Sequence, residues 1–119
     1  MRLVLDTDVV VAAMRSPAGA SAAILRSLRQ GQATLLLSVP LALEYESVCQ
    51  KAEHRLAAGL SERQVDTFVN AVIAMAEPVE THFLAGALIT FNVRDYGSVP
   101  SRFGVDLLLP REAIWRIRR

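Results

Sequence analysis

The sequence predicts an α/β fold in which helices cover a mostly parallel central sheet. Short aliphatic runs such as Leu3–Leu5 and Ala33–Leu37 are typical of buried parallel strands, and segments with helical periodicity alternate with them. Hydrophobic residues make up 52% of the 119 residues and charged residues 21%, which argues against intrinsic disorder. We therefore expect residues 1–119 to form a single domain around one core.

The composition narrows the class of protein. The chain has 13 basic and 12 acidic residues, so no strong overall field attracts it to nucleic acid or to a membrane. A single cysteine, Cys49, excludes an intramolecular disulfide framework and a cysteine-rich zinc site, and we expect it in the core. No apolar run approaches the roughly 20 residues of a membrane helix, and Asp6 comes too early for a signal peptide. These features predict a cytoplasmic protein without a membrane association.

Local signals mark the elements of the first half. The polar stretch Asp6–Asp8 closes the first strand and can open a helix, and Gly31 stops the second helix. Ser38 is a plausible N-cap, with Pro40 in the first turn of the helix that follows. In chain order the predicted elements are a strand over 3–5, helices over 9–14 and 21–30, a strand over 33–37, and a helix from about 40 to 50 or beyond.

The second half contains the best-defined helix. Ser61–Gln64 reads as a capping box, and apolar residues then recur with helical spacing from Val65 to Ala76. This apolar stripe is typical of a core face, although a dimer seam is the alternative. Pro78 ends the helix, and a loop surrounds Gly97 and Pro100. The further predicted elements are strands over 79–84, 87–91 and 105–109 and a closing helix over 110–119.

One junction does not fit a parallel sheet. Only Ala85 and Gly86 separate the strands predicted over 79–84 and 87–91, whereas parallel neighbours need a crossover of a dozen or more residues. Either these two strands are antiparallel, or a helical crossover is missing between residues 84 and 85.

Polar side chains follow the predicted strands, where ligands bind in open parallel sheets. Asp6 comes directly after the first strand, Asn92 follows Phe91, and Asp95 lies three residues further on. Glu44 is predicted on the packed side of its helix, where it needs an arginine, a metal ion or a position at the rim with water. An aspartate after a strand can also be a simple helix cap.

Three carboxylates in one crevice would imply a cation. If Asp6, Glu44 and Asp95 met, their mutual repulsion would require a compensating positive charge or a shifted protonation state. All-oxygen ligands favour Mg²⁺ or Mn²⁺, which can activate a water and stabilise charge on a phosphate. This chemistry is that of phosphodiester hydrolysis.

Three motifs in order resemble the PIN-domain nucleases. Residues 3–13 (LVLDTDVVVAA) resemble the opening strand and acidic turn of that family, and residues 38–48 (SVPLALEYESV) its second acidic element. Residues 88–96 (LITFNVRDY) are similar to the late strand and its polar turn, and residues 110–113 to the closing segment. The resemblance implies a three-layer α/β/α sandwich with a mostly parallel sheet. The sequence looks most like the VapC-like toxins of bacterial toxin–antitoxin pairs.

The resemblance also implies roles for individual residues. Asp6, Glu44 and Asp95 would be the catalytic, metal-binding acids of a Mg²⁺- or Mn²⁺-dependent ribonuclease. The supporting residues would be Thr7, Asp8, Thr90 and Asn92, with Asn92 at a position that is often Asp and Asp8 at one that is more commonly Asn. The family usually carries a further catalytic Asp on a helix before the late strand, where only Ala85 and Gly86 stand in this chain.

The implied partners are an RNA substrate, a cognate antitoxin and a second copy of the chain in a homodimer. Arg94, Arg102 and Arg111 are candidate RNA contacts, and ordinary surface positions are the alternative reading. His54 and His82 are expected outside the acidic crevice. A catalytically silent RNA- or protein-binding module on the same scaffold is the alternative function.

Overall fold

The centre of the fold is an all-parallel sheet. The computed structural model describes residues 1–80 and 85–119, and the sheet has five strands in these residues, in the order β3-β2-β1-β4-β5. The parallel sheet predicted from the aliphatic runs is confirmed. The strands are β1 (Arg2–Leu5), β2 (Thr34–Leu37), β3 (Glu77–Pro78), β4 (Ala87–Ile89) and β5 (Asp106–Leu108).

Helices flank this sheet and give the predicted α/β/α architecture. Helix α2 packs against both α1 and α8, and α3 packs against α1 and α5. In the described residues the helices are α1 (Thr7–Arg15), α2 (Ala20–Arg29), α3 (Val39–Cys49), α4 (Ala52–Ala58), α5 (Glu62–Met75), α6 (Val93–Tyr96), α7 (Val99–Arg102) and α8 (Pro110–Arg118).

The predicted helix caps are present. Ser38 Oγ accepts the Leu41 N–H at the start of α3. At α5, Ser61 Oγ accepts the Gln64 N–H at 3.1 Å, and the Gln64 side chain accepts the Ser61 N–H at 2.9 Å, which completes the capping box. These bonds satisfy N–H groups that have no partner within the helix.

The helix predicted from about 40 to 50 or beyond is confirmed as α3, which ends at Cys49 and is followed by the separate helix α4. Two other predicted elements are wrong. The predicted loop around Gly97 contains the short helices α6 and α7. The strand predicted over 79–84 is instead β3, because Glu77 and Pro78 pair with Leu36 and Leu37 of β2 and the Val79 N–H donates to Leu37 O. The rest of that prediction, residues 81–84 with His82, lies outside the described residues.

The junction before β4 is resolved in favour of parallel strands. β3 pairs with β2 and β4 pairs with β1, each in parallel, so the antiparallel alternative is wrong. The connection between them comprises residues 79–86, which is fewer than the ten to twelve that a βαβ crossover with its helix needs. A crossover helix missing between residues 84 and 85 remains a prediction.

The core lies on the sheet and beneath α1, α3 and α5. Leu3, Val4 and Leu5 are each at most 1% exposed, which is the continuous burial expected of a central parallel strand. Cys49 is buried and free, as predicted. The apolar stripe of α5 is buried in the core at Val65, Val69 and Val72. This burial favours a core face over a dimer seam.

Among the described residues, no single helix is long and apolar enough to cross a bilayer. Helices α1 and α2 pass that test of length and composition only as a pair, across a bend of 99°.

Candidate active site

The site begins where β1 and β4 end side by side. The Asp6 N–H donates to Ile89 O at 2.8 Å, which continues the β1–β4 pairing by one residue and places Asp6 beside Thr90. Asp6 is also the N-cap of α1, where its Oδ1 accepts the Thr7 N–H at 2.9 Å. The end of β1, the hydrogen bond to β4 and the cap of α1 therefore fix the position of Asp6.

The Thr90 hydroxyl lies between two carboxylates. Thr90 is fully buried, and its Oγ1 is 2.8 Å from Asp6 Oδ2 and 3.4 Å from Asp8 Oδ2. The same oxygen accepts the Asn92 N–H at 3.0 Å. A hydroxyl carries one proton, so it serves one carboxylate at a time, and the shorter distance favours Asp6. The two acids thus compete for a single donor.

Asp8 is held by the turn after β4. Its Oδ2 accepts the Phe91 N–H at 3.1 Å and the Asn92 side-chain amide at 2.9 Å. Its Oδ1 is buried and has no hydrogen-bond partner within the described part of the chain. Burial, and next the negative charge of Asp6, raise the pKa of Asp8 above its ordinary value, although the hydrogen bonds from Phe91 and Thr90 oppose this. The ionised form of Asp8 is therefore less favourable than that of a carboxylate in water.

Two tyrosines that the sequence did not mark as functional complete the surroundings. The Tyr96 hydroxyl donates to Asp6 Oδ2 at 3.0 Å, and the Tyr45 hydroxyl, fully buried, donates to Leu5 O directly before Asp6. Burial raises the pKa of Tyr96, and so do its bond to Asp6 and the charges of Asp6, Asp8 and Glu44. Both hydroxyls therefore stay protonated donors. The only sequence signal for Tyr96 was its place at the end of the polar turn.

The other two predicted acids are exposed. Glu44 is exposed, which corresponds to the rim alternative, yet its charge contributes to the raised pKa of both Tyr45 and Tyr96. Asp95 is exposed on α6 and lines a depression of about 540 Å³ that it shares with Asn92 and Glu112. The structure joins Asp6 and Asp8 through the Thr90 hydroxyl, while the catalytic roles of Glu44 and Asp95 remain predictions.

The remaining candidates are less tightly placed. The Thr7 hydroxyl is buried with no hydrogen-bond partner in residues 1–80 and 85–119, so Thr7 contributes its backbone N–H to the site rather than its side chain. Arg94, Arg102 and Arg111 are all exposed. His54 lies away from the acids, 3.1 Å from an Arg15 guanidinium nitrogen, as expected of a histidine outside the crevice.

The oxygen atoms of this site suit a hard divalent cation. Mg²⁺ in proteins is commonly held by one or two carboxylates together with waters and substrate phosphate, and Asp6 and Asp8 supply two. The unpartnered Asp8 Oδ1 is the kind of buried acceptor that a cation satisfies. Asn92 gives its amide N–H to Asp8, which leaves its Oδ1 as a further oxygen. Among the described residues, no three His, Cys, Asp or Glu side chains are arranged to hold a metal ion.

Fold and site define an α/β protein with a carboxylate pair at the carboxyl edge of a parallel sheet. The family model of the PIN domain matches residues 2–97, so this chain belongs to the PIN domain family. That span runs from β1 through α6 and contains Asp6, Asp8 and Thr90. PIN domains are generally nucleases that use divalent metals, which makes this a nuclease-type protein. No curated protein and no solved structure matches the chain significantly.

Proposed function

We propose that this protein is an endoribonuclease that hydrolyses RNA phosphodiester bonds with Mg²⁺ or Mn²⁺. One observation carries the proposal: the carboxylates of Asp6 and Asp8 meet at the Thr90 hydroxyl, and one Asp8 oxygen is buried without a partner among the described residues. Such a pair is unfavourable by itself and is explained by a cation that binds between the two groups.

Each residue has a defined task in this proposal. Asp6 and Asp8 would hold the cation, with Asn92 beside them, and Glu44 at the rim adds negative charge. The bound cation would supply a water of lowered pKa and would stabilise charge on the phosphate. Thr90, Tyr96 and the Thr7 N–H keep the Asp6 carboxylate in one orientation. Burial and the neighbouring carboxylates raise the pKa of Tyr96, so its hydroxyl is a protonated donor to Asp6.

RNA cleavage by the purified chain with Mn²⁺ tests the proposal. Asp6→Asn keeps an acceptor for the Thr7 N–H and removes the charge, so we expect the cleavage rate to fall by about 100-fold while α1 stays capped. Asp106→Asn is the matched control, because Asp106 is an exposed aspartate of β5 paired with Arg116. Cleavage that survives both a chelator and Asp6→Asn would refute the proposal.

We further propose that the ribonuclease is the toxin of a toxin–antitoxin pair, a cytoplasmic homodimer neutralised by a cognate antitoxin. The support is the resemblance of residues 3–13, 38–48 and 88–96 to VapC-like toxins. Expression of the wild-type chain in bacteria should arrest growth, and expression of Asp6→Asn should not. Growth arrest by both chains would separate the effect from nuclease activity, and arrest by neither would contradict the toxin role. Light scattering after gel filtration gives the oligomeric state.

A silent RNA- or protein-binding module is the second candidate. It is favoured by the short connection over residues 79–86 and by the lack of a three-residue metal-binding cluster in the described ranges. RNA binding in a chelator, without cleavage when Mn²⁺ is added, would support this candidate against the nuclease.

A further inference from the structure

A cavity opens beside the acid pair and is not used by the proposed mechanism. It has a volume of about 310 Å³, within the range of small-ligand sites, and its lining includes Phe91, Leu109 and Pro110. Phe91 connects the two places, because its backbone N–H donates to Asp8 Oδ2 while its side chain lines the cavity. The Phe91 side chain is 49% exposed, although it directly follows a buried strand. An aromatic ring beside this site, and open to solvent, is available for stacking.

The lining of the cavity, mostly apolar, also includes a few groups that suit an anion. Helix α2 begins there at Ala20, and its N-cap, Gly19, provides no side-chain hydrogen bond to the first turn. Ser21, in that first turn, is 4% exposed, and its Oγ has no hydrogen-bond partner in the part of the chain that the structure describes. Arg111, exposed at the start of α8, also lines the cavity. Helix N–H groups, a hydroxyl and a guanidinium are groups that bind phosphate.

We propose that this cavity binds one nucleotide of a single-stranded RNA, next to the nucleotide that is cleaved. The base stacks on Phe91, and a phosphate lies between the first turn of α2 and Arg111. Apolar walls with a few polar groups at one end match a nucleotide, which has a flat base and a charged phosphate. The inference rests on the proposed ribonuclease function and adds a place where the substrate strand is held.

Binding of a fluorescently labelled single-stranded RNA in EDTA tests the cavity without any cleavage. We expect Phe91→Ala to weaken binding by about tenfold, within the range measured for base–aromatic stacking, and Phe91→Tyr to bind within about twofold of wild type. Phe91→Ala keeps the backbone N–H that donates to Asp8, so the acid pair is not altered directly. Phe103→Ala is the matched control, since Phe103 is 56% exposed and lies outside the cavity lining.

Two further variants test the proposed phosphate contacts, which are Arg111 and the first turn of α2. Arg111→Gln should weaken binding and lower the slope of log affinity against log salt by about one, and Arg118→Gln, outside the cavity lining, is its control. Ser21→Ala should weaken binding at least about twofold, with thermal melts to confirm that each variant is folded. Free nucleoside monophosphate should compete with the RNA for the wild-type chain and not for Phe91→Ala.

The outcomes separate this inference from the proposed function. If wild type cleaves RNA but Phe91→Ala and Arg111→Gln bind as wild type does, the cavity is not a substrate site and the nuclease function stands. If binding depends on Phe91 and Arg111 but no cleavage occurs with Mn²⁺, the nucleotide site stands and the nuclease function fails. An equal loss of RNA affinity in Phe91→Ala and Phe103→Ala would overturn the inference. The absence of RNA binding by wild type would also overturn it.

Discussion

At the scale of single residues, the site brings two negatively charged carboxylates together and supplies them with unequal hydrogen-bond donors. Asp6 is satisfied by Thr7, Thr90 and Tyr96, whereas Asp8 has one oxygen with two N–H donors, from Phe91 and Asn92, and one oxygen with no donor in the described residues. Burial, and next the negative charge of Asp6, raise the pKa of Asp8 above its ordinary value despite the hydrogen bonds that it accepts. Two carboxylates that repel each other without a cation lower the stability of the fold, and a bound cation removes this repulsion. Such a site is typical of proteins in which function is retained at the expense of stability.

The first prediction concerns the stability that the fold loses by holding Asp6 and Asp8 together. Asp8→Asn removes one of two neighbouring negative charges, so we expect the melting temperature in metal-free buffer at neutral pH to rise by a few degrees while cleavage is lost. Thermal unfolding followed by circular dichroism in EDTA measures the change. Asp106→Asn, which breaks an exposed ion pair, should leave the melting temperature nearly unchanged. A lower melting temperature for Asp8→Asn would mean that its hydrogen bonds outweigh the repulsion.

The second prediction separates the two tyrosines. Tyr96→Phe removes one of the donors to Asp6 at a half-buried position, so cleavage should fall by about tenfold while stability falls by less than about 1 kcal/mol. Tyr45→Phe leaves the Leu5 carbonyl without its buried donor and should cost about 1–2 kcal/mol in the free energy of unfolding. Urea unfolding and a cleavage assay on both variants check this difference. Unchanged cleavage by Tyr96→Phe would remove Tyr96 from the site.

At the scale of elements, short-range hydrogen bonds determine where the helices start. Asp6, Ser38 and Ser61 each cap a helix, and at two of these three helices the cap comes directly after a strand. The cap of α1 is also a site residue, so the same carboxylate fixes a helix and faces the proposed substrate. The first turn of α2 has no such side chain, and it borders the cavity beside Phe91.

The third prediction tests a cap that has no functional role. Ser61→Ala removes the acceptor of the Gln64 N–H at the start of α5 and should lower the free energy of unfolding by about 1 kcal/mol, with cleavage unchanged. Ser47→Ala, at an exposed position within α3, should change the free energy by less than about 0.5 kcal/mol. Equal effects of the two variants would contradict the role of the capping box.

At the scale of the whole molecule, chain segments far apart in sequence build the site. The contacts of Asp6 and Asp8 with the turn after β4 join residues 82 to 90 positions apart, so the site exists only in the folded chain. Binding of a cation to the native state alone must therefore stabilise the whole fold.

The fourth prediction follows from this linkage. Mn²⁺ or Mg²⁺ in excess should raise the melting temperature of wild type, and at about 100 times the dissociation constant the gain is roughly 2.7 kcal/mol. Asp6→Asn and Asp8→Asn should show a much smaller rise, and Asp106→Asn should respond as wild type does. A melting temperature that is insensitive to both cations in wild type would argue against a metal site at this edge of the sheet.

The sequence by itself determined the alternation of strands and helices, the caps at Ser38 and Ser61, and the position of Asp6 at the end of β1. These features depend on residues within a few positions of one another, so local pattern is sufficient to predict them. The tertiary structure alone decided that the Thr90 hydroxyl meets the carboxylates of Asp6 and Asp8, that Tyr96 donates to Asp6, and that β3 runs parallel to β2. Those outcomes depend on which strand ends become neighbours in the sheet, and that is a property of long-range packing which no short stretch of sequence contains.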